Sequence, residues 1–247
     1  GYHKEAGRTV KNPHFVRIQK ILGPLVRFLF PITLEGAENL PDDRPVMLCA
    51  NHSSAWDPIL FVAAIWTGYP LRIMAKKQLL RIPILGSILK AIGVFAVDRG
   101  NSDILAVKTA IQSLKQGWNL LIFPEGTRHT NGKVGRGKIG VCLLSAKSGK
   151  PVIPVGLIFN SNNLHFRSKI CIRLGKPIYP SEYGITADSN PHEMHAMRNA
   201  IMTQIKALVE ENPPFPIVHD QPKKLTAIEQ QHEQRKKELE ERRHTED

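Results

Sequence analysis

The sequence predicts an α/β fold, a central, mostly parallel or mixed sheet flanked by helices, with an amphipathic helical segment before it. Short, continuously apolar runs recur at Val46–Ala50, Asn119–Phe123 and Val152–Phe159, the pattern of strands covered on both faces. Segments of helical periodicity separate them, and such alternation builds a parallel sheet with helices packed on it. With 247 residues, 42% hydrophobic and 23% charged, the chain has the balance and length of one globular domain with a full core.

Residues 13–30 read PHFVRIQKILGPLVRFLF. Phe15, Ile18, Leu22, Leu25 and Leu29 fall on one helical face, with Arg17, Lys20 and Arg27 opposite and a kink expected at Pro24. A basic amphipathic helix of this kind either lies in a membrane interface or packs on the protein's own core. A strand-like ITLEGAENLP and a turn over Pro41–Pro45 precede the Val46–Ala50 strand. Asn51-His52 ends that strand, and Asp57-Pro58 opens a helix through Trp66. Leu71–Ala75 reads as a strand, Ile82–Ile92 as a helix, and Gly93–Val97 as a strand ending in Asp98-Arg99. Ile104–Gln116 is an amphipathic helix stopped by Gly117. Asn119–Phe123 leads into Pro124-Glu125-Gly126-Thr127-Arg128 and a Gly- and Lys-rich loop. A helix over 139–148, strands at Val152–Phe159 and Ile170–Leu174, and a helix over 190–212 complete the body. The expected division is a docking segment over 1–33, an α/β domain over 34–218 and a charged helical or disordered tail over 219–247.

The formal net charge is +12. The tail holds seven Lys/Arg against eight Asp/Glu, which leaves +13 on residues 1–218. A basic body favours an anionic partner: a membrane surface, a phosphorylated or CoA-type substrate, or nucleic acid. Aromatic residues are only 6%, and neither a stacking platform nor a nucleic-acid motif is present, which argues against nucleic acid. Cys49, Cys142 and Cys171 form no CxxC pair, so they read as buried thiols in a reducing compartment rather than disulfides or a zinc site. No apolar run reaches the length that spans a bilayer. The chain starts at Gly1, and a span or targeting segment upstream of it stays open.

Four short segments carry candidate chemistry. In His52-Ser53-Ser54-Ala55-Trp56-Asp57, a carboxylate five residues from a histidine can bind Nδ1–H and leave Nε2 as a general base. With no G-x-S-x-G elbow around Ser53 or Ser54, such a base suits direct activation of a substrate hydroxyl; the plain alternative is that Asp57 only caps the helix. Phe123–Arg128 offers a tight path at Gly126 and a guanidinium fork at Arg128 for a phosphate. Glu125 there could position the arginine or bind a substrate hydroxyl. Gly93–Arg99 closes a strand with a charged pair, and Val152–Gly156 has no reactive group and is expected to contribute shape, such as an apolar wall.

Each segment alone is weak, but their order and spacing from about Leu34 to Pro180 resemble the glycerolipid acyltransferase family, in particular the 1-acyl-sn-glycerol-3-phosphate acyltransferases. The family's blocks H-x4-D, G-x-x-F-[IV]-[DR]-R, F-P-E-G-[TS]-R and V-[IV]-P-[VI] match His52–Asp57, Gly93–Arg99, Phe123–Arg128 and Val152–Val155. Ala96 departs from the larger β-branched residue of many members. The resemblance implies a glycerol-3-phosphate-acyltransferase-like fold, His52 as general base and Asp57 as its orienting partner. It also implies an acceptor-phosphate site from Arg99, Glu125, Gly126, Thr127 and Arg128, with Lys76 adding charge and Lys138 a weaker candidate. The implied reaction moves an acyl group from acyl-CoA or acyl-carrier protein to 1-acyl-glycerol-3-phosphate, giving phosphatidic acid for phospholipid biosynthesis, with no metal or redox cofactor. Another lysophospholipid or glycerol-3-phosphate is the competing acceptor, and a non-enzymatic anionic-lipid or nucleic-acid-binding protein the distant alternative. The expected location is the cytoplasmic face of a membrane, held peripherally or monotopically.

Overall fold

The computed structural model describes residues 13–41, 45–65, 71–76, 80–83, 85–91, 93–97, 104–161 and 164–218. The strand end at Asp98-Arg99 and the tail over 219–247 lie outside them. Among the described residues the α-helices and strands follow in this order: α1 (Pro13–Leu29), β1 (Ile32–Glu35), β2 (Met47–Ala50), α2 (Asp57–Ala64), β3 (Leu71–Lys76), α3 (Leu85–Ala91), β4 (Val94–Val97), α4 (Ile104–Lys115), β5 (Asn119–Ile122), α5 (Gly140–Ser148), β6 (Val152–Phe159), β7 (Ile170–Leu174) and α6 (His195–Glu210).

The strands form one seven-stranded sheet in the order β1-β7-β6-β2-β5-β3-β4. The ladders β6–β2, β2–β5, β5–β3 and β3–β4 are parallel, while β7 runs antiparallel to β6 and carries β1 parallel to itself. The sheet is therefore mixed, with a parallel core of five strands. Its middle strands are apolar throughout because both faces are covered. Leu48 and Ala50 of β2 face a core with α1, α2 and α3, and Met47 and Cys49 face a second core with α4, α5 and α6. Residues 152–156, expected to contribute shape, are buried in the sheet and line both cores.

The helix α1 packs on the protein's own core through Phe15, Gln19 and Val26, with Ile18 and Leu22 beside them. This differs from the expected faces in two ways. Leu25 points out, and Arg27 turns from the outer side to the end of α2, where it donates to the carbonyls of Ala63 at 2.8 Å and Ala64 at 3.1 Å. These are carbonyls in the last turn of α2 that lack helical donors, and a cation there also meets the negative end of the helix. Pro24 sits inside the continuous helix on its exposed side, where the backbone bond it removes costs least.

The three cysteines are free and buried. Burial pushes the Cys142 thiol up to about 12 and holds Cys49 well above the ordinary 9.0. A raised folded pKa gives stability that is complete below the unfolded value and is lost as pH rises through the folded one. The urea midpoint should therefore fall as pH climbs from 9 toward 12, and less steeply in Cys142→Ala, as chemical denaturation at fixed pH steps would show. Identical slopes in the two proteins would exclude this contribution.

Candidate active site

Because β2 and β5 are adjacent and parallel, with Cys49 opposite Ile122, the loops that follow them leave the sheet at the same carboxyl edge. That is where open α/β sheets place their sites. His52 lies two residues beyond β2, and Phe123–Arg128 begins directly after β5. The register thus brings together segments separated by 73 positions in the chain.

Asn51 anchors the first loop. Its side chain pairs with β6 as a strand residue would, accepting from Leu157 N–H at 2.7 Å and donating to Leu157 C=O at 3.0 Å. His52 then places Nδ1 2.8 Å from Oδ2 of Asp57. The same oxygen accepts the backbone N–H groups of Ser53 at 2.8 Å and Ser54 at 2.9 Å. These donors precede the helix, so Asp57 orients the histidine loop and does more than cap α2. Its side chain is wholly buried at the first residue of that helix, where the positive end of the helix dipole favours a carboxylate. Oδ1 is buried without a hydrogen-bond partner among the described residues.

The His52 side chain keeps 18% of its surface exposed. Its ring stacks on Phe123 with centroids 4.2 Å apart. A carboxylate on Nδ1 favours the neutral tautomer with its proton there, which leaves the Nε2 lone pair free. An imidazole fixed this way can accept a proton from a hydroxyl placed beside it. Ser53 and Ser54 direct their hydroxyls elsewhere, toward Asn51 Nδ2 at 3.4 Å and Trp56 N–H at 3.2 Å.

The second loop divides into an inward and an outward half. Glu125 is buried and accepts His52 N–H on Oε1 and Gly135 N–H on Oε2, both at 2.8 Å. Gly126 has a φ of 71°, a left-handed conformation that suits glycine, and beyond it Thr127 and Arg128 are exposed. The stem of Lys138 covers Gly126: a Cβ there would meet its Cε at 3.1 Å and its Nζ at 3.3 Å. Lys133, Arg136 and Lys138 add exposed cations to the following loop. The backbone of Lys76 ends β3 at the same sheet edge, opposite Val97. Arg99, two residues past Val97, lies outside the described residues. Among the described residues no group of His, Cys, Asp and Glu is arranged to hold a metal.

Three site features carried no signal in the motif reading. The stacking of Phe123 on His52 follows from the pairing of β2 with β5, while the contacts of His129 and Gly135 with Glu125 depend on the path of the 129–138 loop. Only the glycine-rich composition of that loop hinted at tight packing.

The fold and site define an α/β protein that presents a carboxylate-oriented histidine and a cationic loop at one sheet edge. The chain belongs to the acyltransferase family, whose family model, described as Acyltransferase, matches residues 31–158. It is 35% identical over 150 residues to the 1-acyl-sn-glycerol-3-phosphate acyltransferase of Borreliella burgdorferi, covering 60% of this chain and 58% of that protein. It is 31% identical over 175 residues to the enzyme of that name from Bacillus subtilis, covering 69% and 84%. The crystal structure of the 1-acyl-sn-glycerophosphate acyltransferase PlsC from Thermotoga maritima superimposes with a TM-score of 0.62 at 25% identity, covering 79% of this chain and 78% of that one. The chain spans about half the length of other relatives, such as 51% of the Brassica napus chloroplast enzyme.

Proposed function

We propose that this protein transfers an acyl group from an acyl thioester to the free hydroxyl of 1-acyl-glycerol-3-phosphate, giving phosphatidic acid. The observation that carries the reading is the 2.8 Å contact between His52 Nδ1 and the buried Asp57 carboxylate. Relatives named for this reaction in bacteria, plants and animals support the choice of acceptor. In the proposed step, His52 Nε2 takes the proton of the acceptor hydroxyl while its oxygen attacks the thioester carbonyl. The tetrahedral intermediate collapses with cleavage of the C–S bond, and the leaving thiolate takes the proton back from the imidazolium. Asp57 stabilises that imidazolium without being protonated.

Arg128 and Thr127, exposed beside the histidine loop, supply donors for the acceptor's phosphate, with Lys138 over Gly126 as a further charge; Lys76 and Arg99 join this proposal on the family resemblance alone. Glu125, with both oxygens engaged by main-chain N–H groups, supports the His52 main chain and is not assigned a contact with the phosphate. Main-chain N–H groups near the start of α2 are the proposed oxyanion donors, since Ser53 and Ser54 N–H serve Asp57. The donor is acyl-CoA or acyl-carrier protein, and the chemistry assigned to these residues calls for no metal or redox cofactor.

Thiol release from both donors, with and without 1-acyl-glycerol-3-phosphate, tests the reading on vesicle-bound protein. Acceptor-dependent release is expected, falling by about 10³-fold or more in His52→Ala and by about 10²- to 10⁴-fold in Asp57→Asn. Rates within tenfold of wild type in His52→Ala would sink the mechanism. Faster turnover of glycerol-3-phosphate or of a lysophospholipid with a headgroup would replace the acceptor.

The product belongs in a bilayer, and the outward face of α1 offers a docking surface for an anionic one at the cytoplasmic side. Ile21 and Phe28 are 74% and 64% exposed, Leu25 lies between them, and Phe166 is 67% exposed. The Phe28 and Phe166 rings stand 6.2 Å apart. Arg167 N–H donates to Leu29 C=O at 2.8 Å, so the loop before β7 is tied to the end of α1. Arg17 and Lys20 border the patch, which suits apolar insertion flanked by charge pairing with lipid phosphates. No helix among the described residues is long and apolar enough to cross a membrane. Phe28→Asp should weaken flotation with anionic vesicles about tenfold or more while sparing turnover of a short-chain, water-soluble acceptor. Unchanged flotation would remove this face as the anchor.

A further inference from the structure

We infer that Glu125, His129 and Gly135 form a latch, centred on the buried Glu125 carboxylate, that sets the position of the His52 main chain, which makes His129 and Gly135 positioning residues; the inference rests on the acyl transfer proposed above. The latch is a closed ring. Oε1 of Glu125 accepts His52 N–H at 2.8 Å, and His129 N–H returns to His52 C=O, also at 2.8 Å. The His129 imidazole meets the other oxygen of Glu125, Nε2 to Oε2, at 3.3 Å. Both polar groups of the His52 main chain are thus held by one five-residue stretch. Gly135 closes the ring by donating its N–H to Oε2 at 2.8 Å.

Gly135 has no room for a side chain. A Cβ there would overlap His129 Nε2 and lie 2.6 Å from His129 Cε1 and 2.7 Å from Glu125 Oε2. Main-chain approach to the carboxylate at this point therefore requires glycine, for closeness rather than for backbone conformation. A carboxylate with 1% of its side chain exposed is costly to bury, and three partners are what offset that cost. Those engagements turn Glu125 away from solvent, so it acts through His52 and not on the acceptor. Asp57 and Phe123 orient the imidazole ring, whereas the latch fixes the backbone from which the ring projects. A displacement of about 1 Å at a reacting group can cost on the order of 10²-fold in rate.

Amide hydrogen exchange and steady-state kinetics on Glu125→Gln, Gly135→Ala, His129→Ala and the Gly135→Ala/His129→Ala pair test the latch. Glutamine offers one acceptor oxygen where two main-chain donors need one each. Exchange at His52 or Gly135 should then speed up about tenfold or more. The kcat of Glu125→Gln should drop by about 10- to 100-fold with the acceptor KM little changed. Gly135→Ala should lose kcat in the same way. Adding His129→Ala removes the ring that the new methyl strikes, so the double variant should be more active than Gly135→Ala alone. An acceptor KM that rises at constant kcat in Glu125→Gln would make Glu125 a substrate contact and overturn the latch. Unaltered exchange at His52 and Gly135 in Glu125→Gln, or exchange at His52 in Gly135→Ala equal to that of the wild type, would overturn it too. Exchange is read without turnover, so a wild type that fails to transfer acyl groups would defeat the proposed reaction and leave the latch to be judged by exchange. Should Glu125→Gln not fold, exchange at His52 in Gly135→Ala still decides.

Discussion

A single carboxylate oxygen, Oδ2 of Asp57, organises the site. It collects His52 Nδ1 and the N–H groups of Ser53 and Ser54 at 2.8 to 2.9 Å, and it does so fully buried at the head of α2. Three donors converging on one charge turn residues 52–54 around it, so the loop's shape and the histidine's tautomer have the same cause. Unmaking any of these contacts would leave a buried charge or a buried donor without compensation, which costs far more than the net value of the bond. The helix supplies the remaining support, because the carboxylate occupies the first turn, where main-chain N–H groups lack helical partners.

The sheet makes that arrangement useful. Parallel pairing of β2 with β5 delivers the histidine loop and the Phe123–Arg128 turn to one edge, and Asn51 ties β2 to β6 across the position where regular pairing stops. Within the turn, one glycine separates two tasks. Before Gly126 the chain faces inward, with Phe123 under the imidazole and Glu125 under its main chain. After Gly126 it faces outward, with Thr127 and Arg128 in solvent. Six consecutive residues thus turn from ring packing and main-chain contacts to an exposed hydroxyl and cation.

Much of this was legible in the residues. The apolar runs at Val46–Ala50, Asn119–Phe123 and Val152–Phe159 mark strands because a strand covered on both faces has no polar alternation to disguise it. The His52–Asp57 pairing was readable because both groups sit on one short loop, where few conformations compete. What escaped depends on distant partners. Glu125 was expected to position the arginine or to bind the substrate; its contacts with the main-chain N–H groups of His52 and Gly135 and with the His129 ring are what no side-chain pattern encoded. The outer face of α1 was expected to hold Arg27, but the end of α2 lies within reach and its carbonyls compete for the guanidinium. The order of the sheet and the antiparallel turn at β7 likewise come from packing between elements and not from any one of them.

The most direct test of the central claim is the nitrogen NMR of His52 in protein labelled with ¹⁵N-histidine, at neutral pH. A base oriented by Asp57 should show a protonated Nδ1 coupled to a downfield, slowly exchanging proton and an unprotonated Nε2, with the pattern lost in Asp57→Asn. A His52 that carries its proton on Nε2, or whose signals are the same in Asp57→Asn, would contradict it.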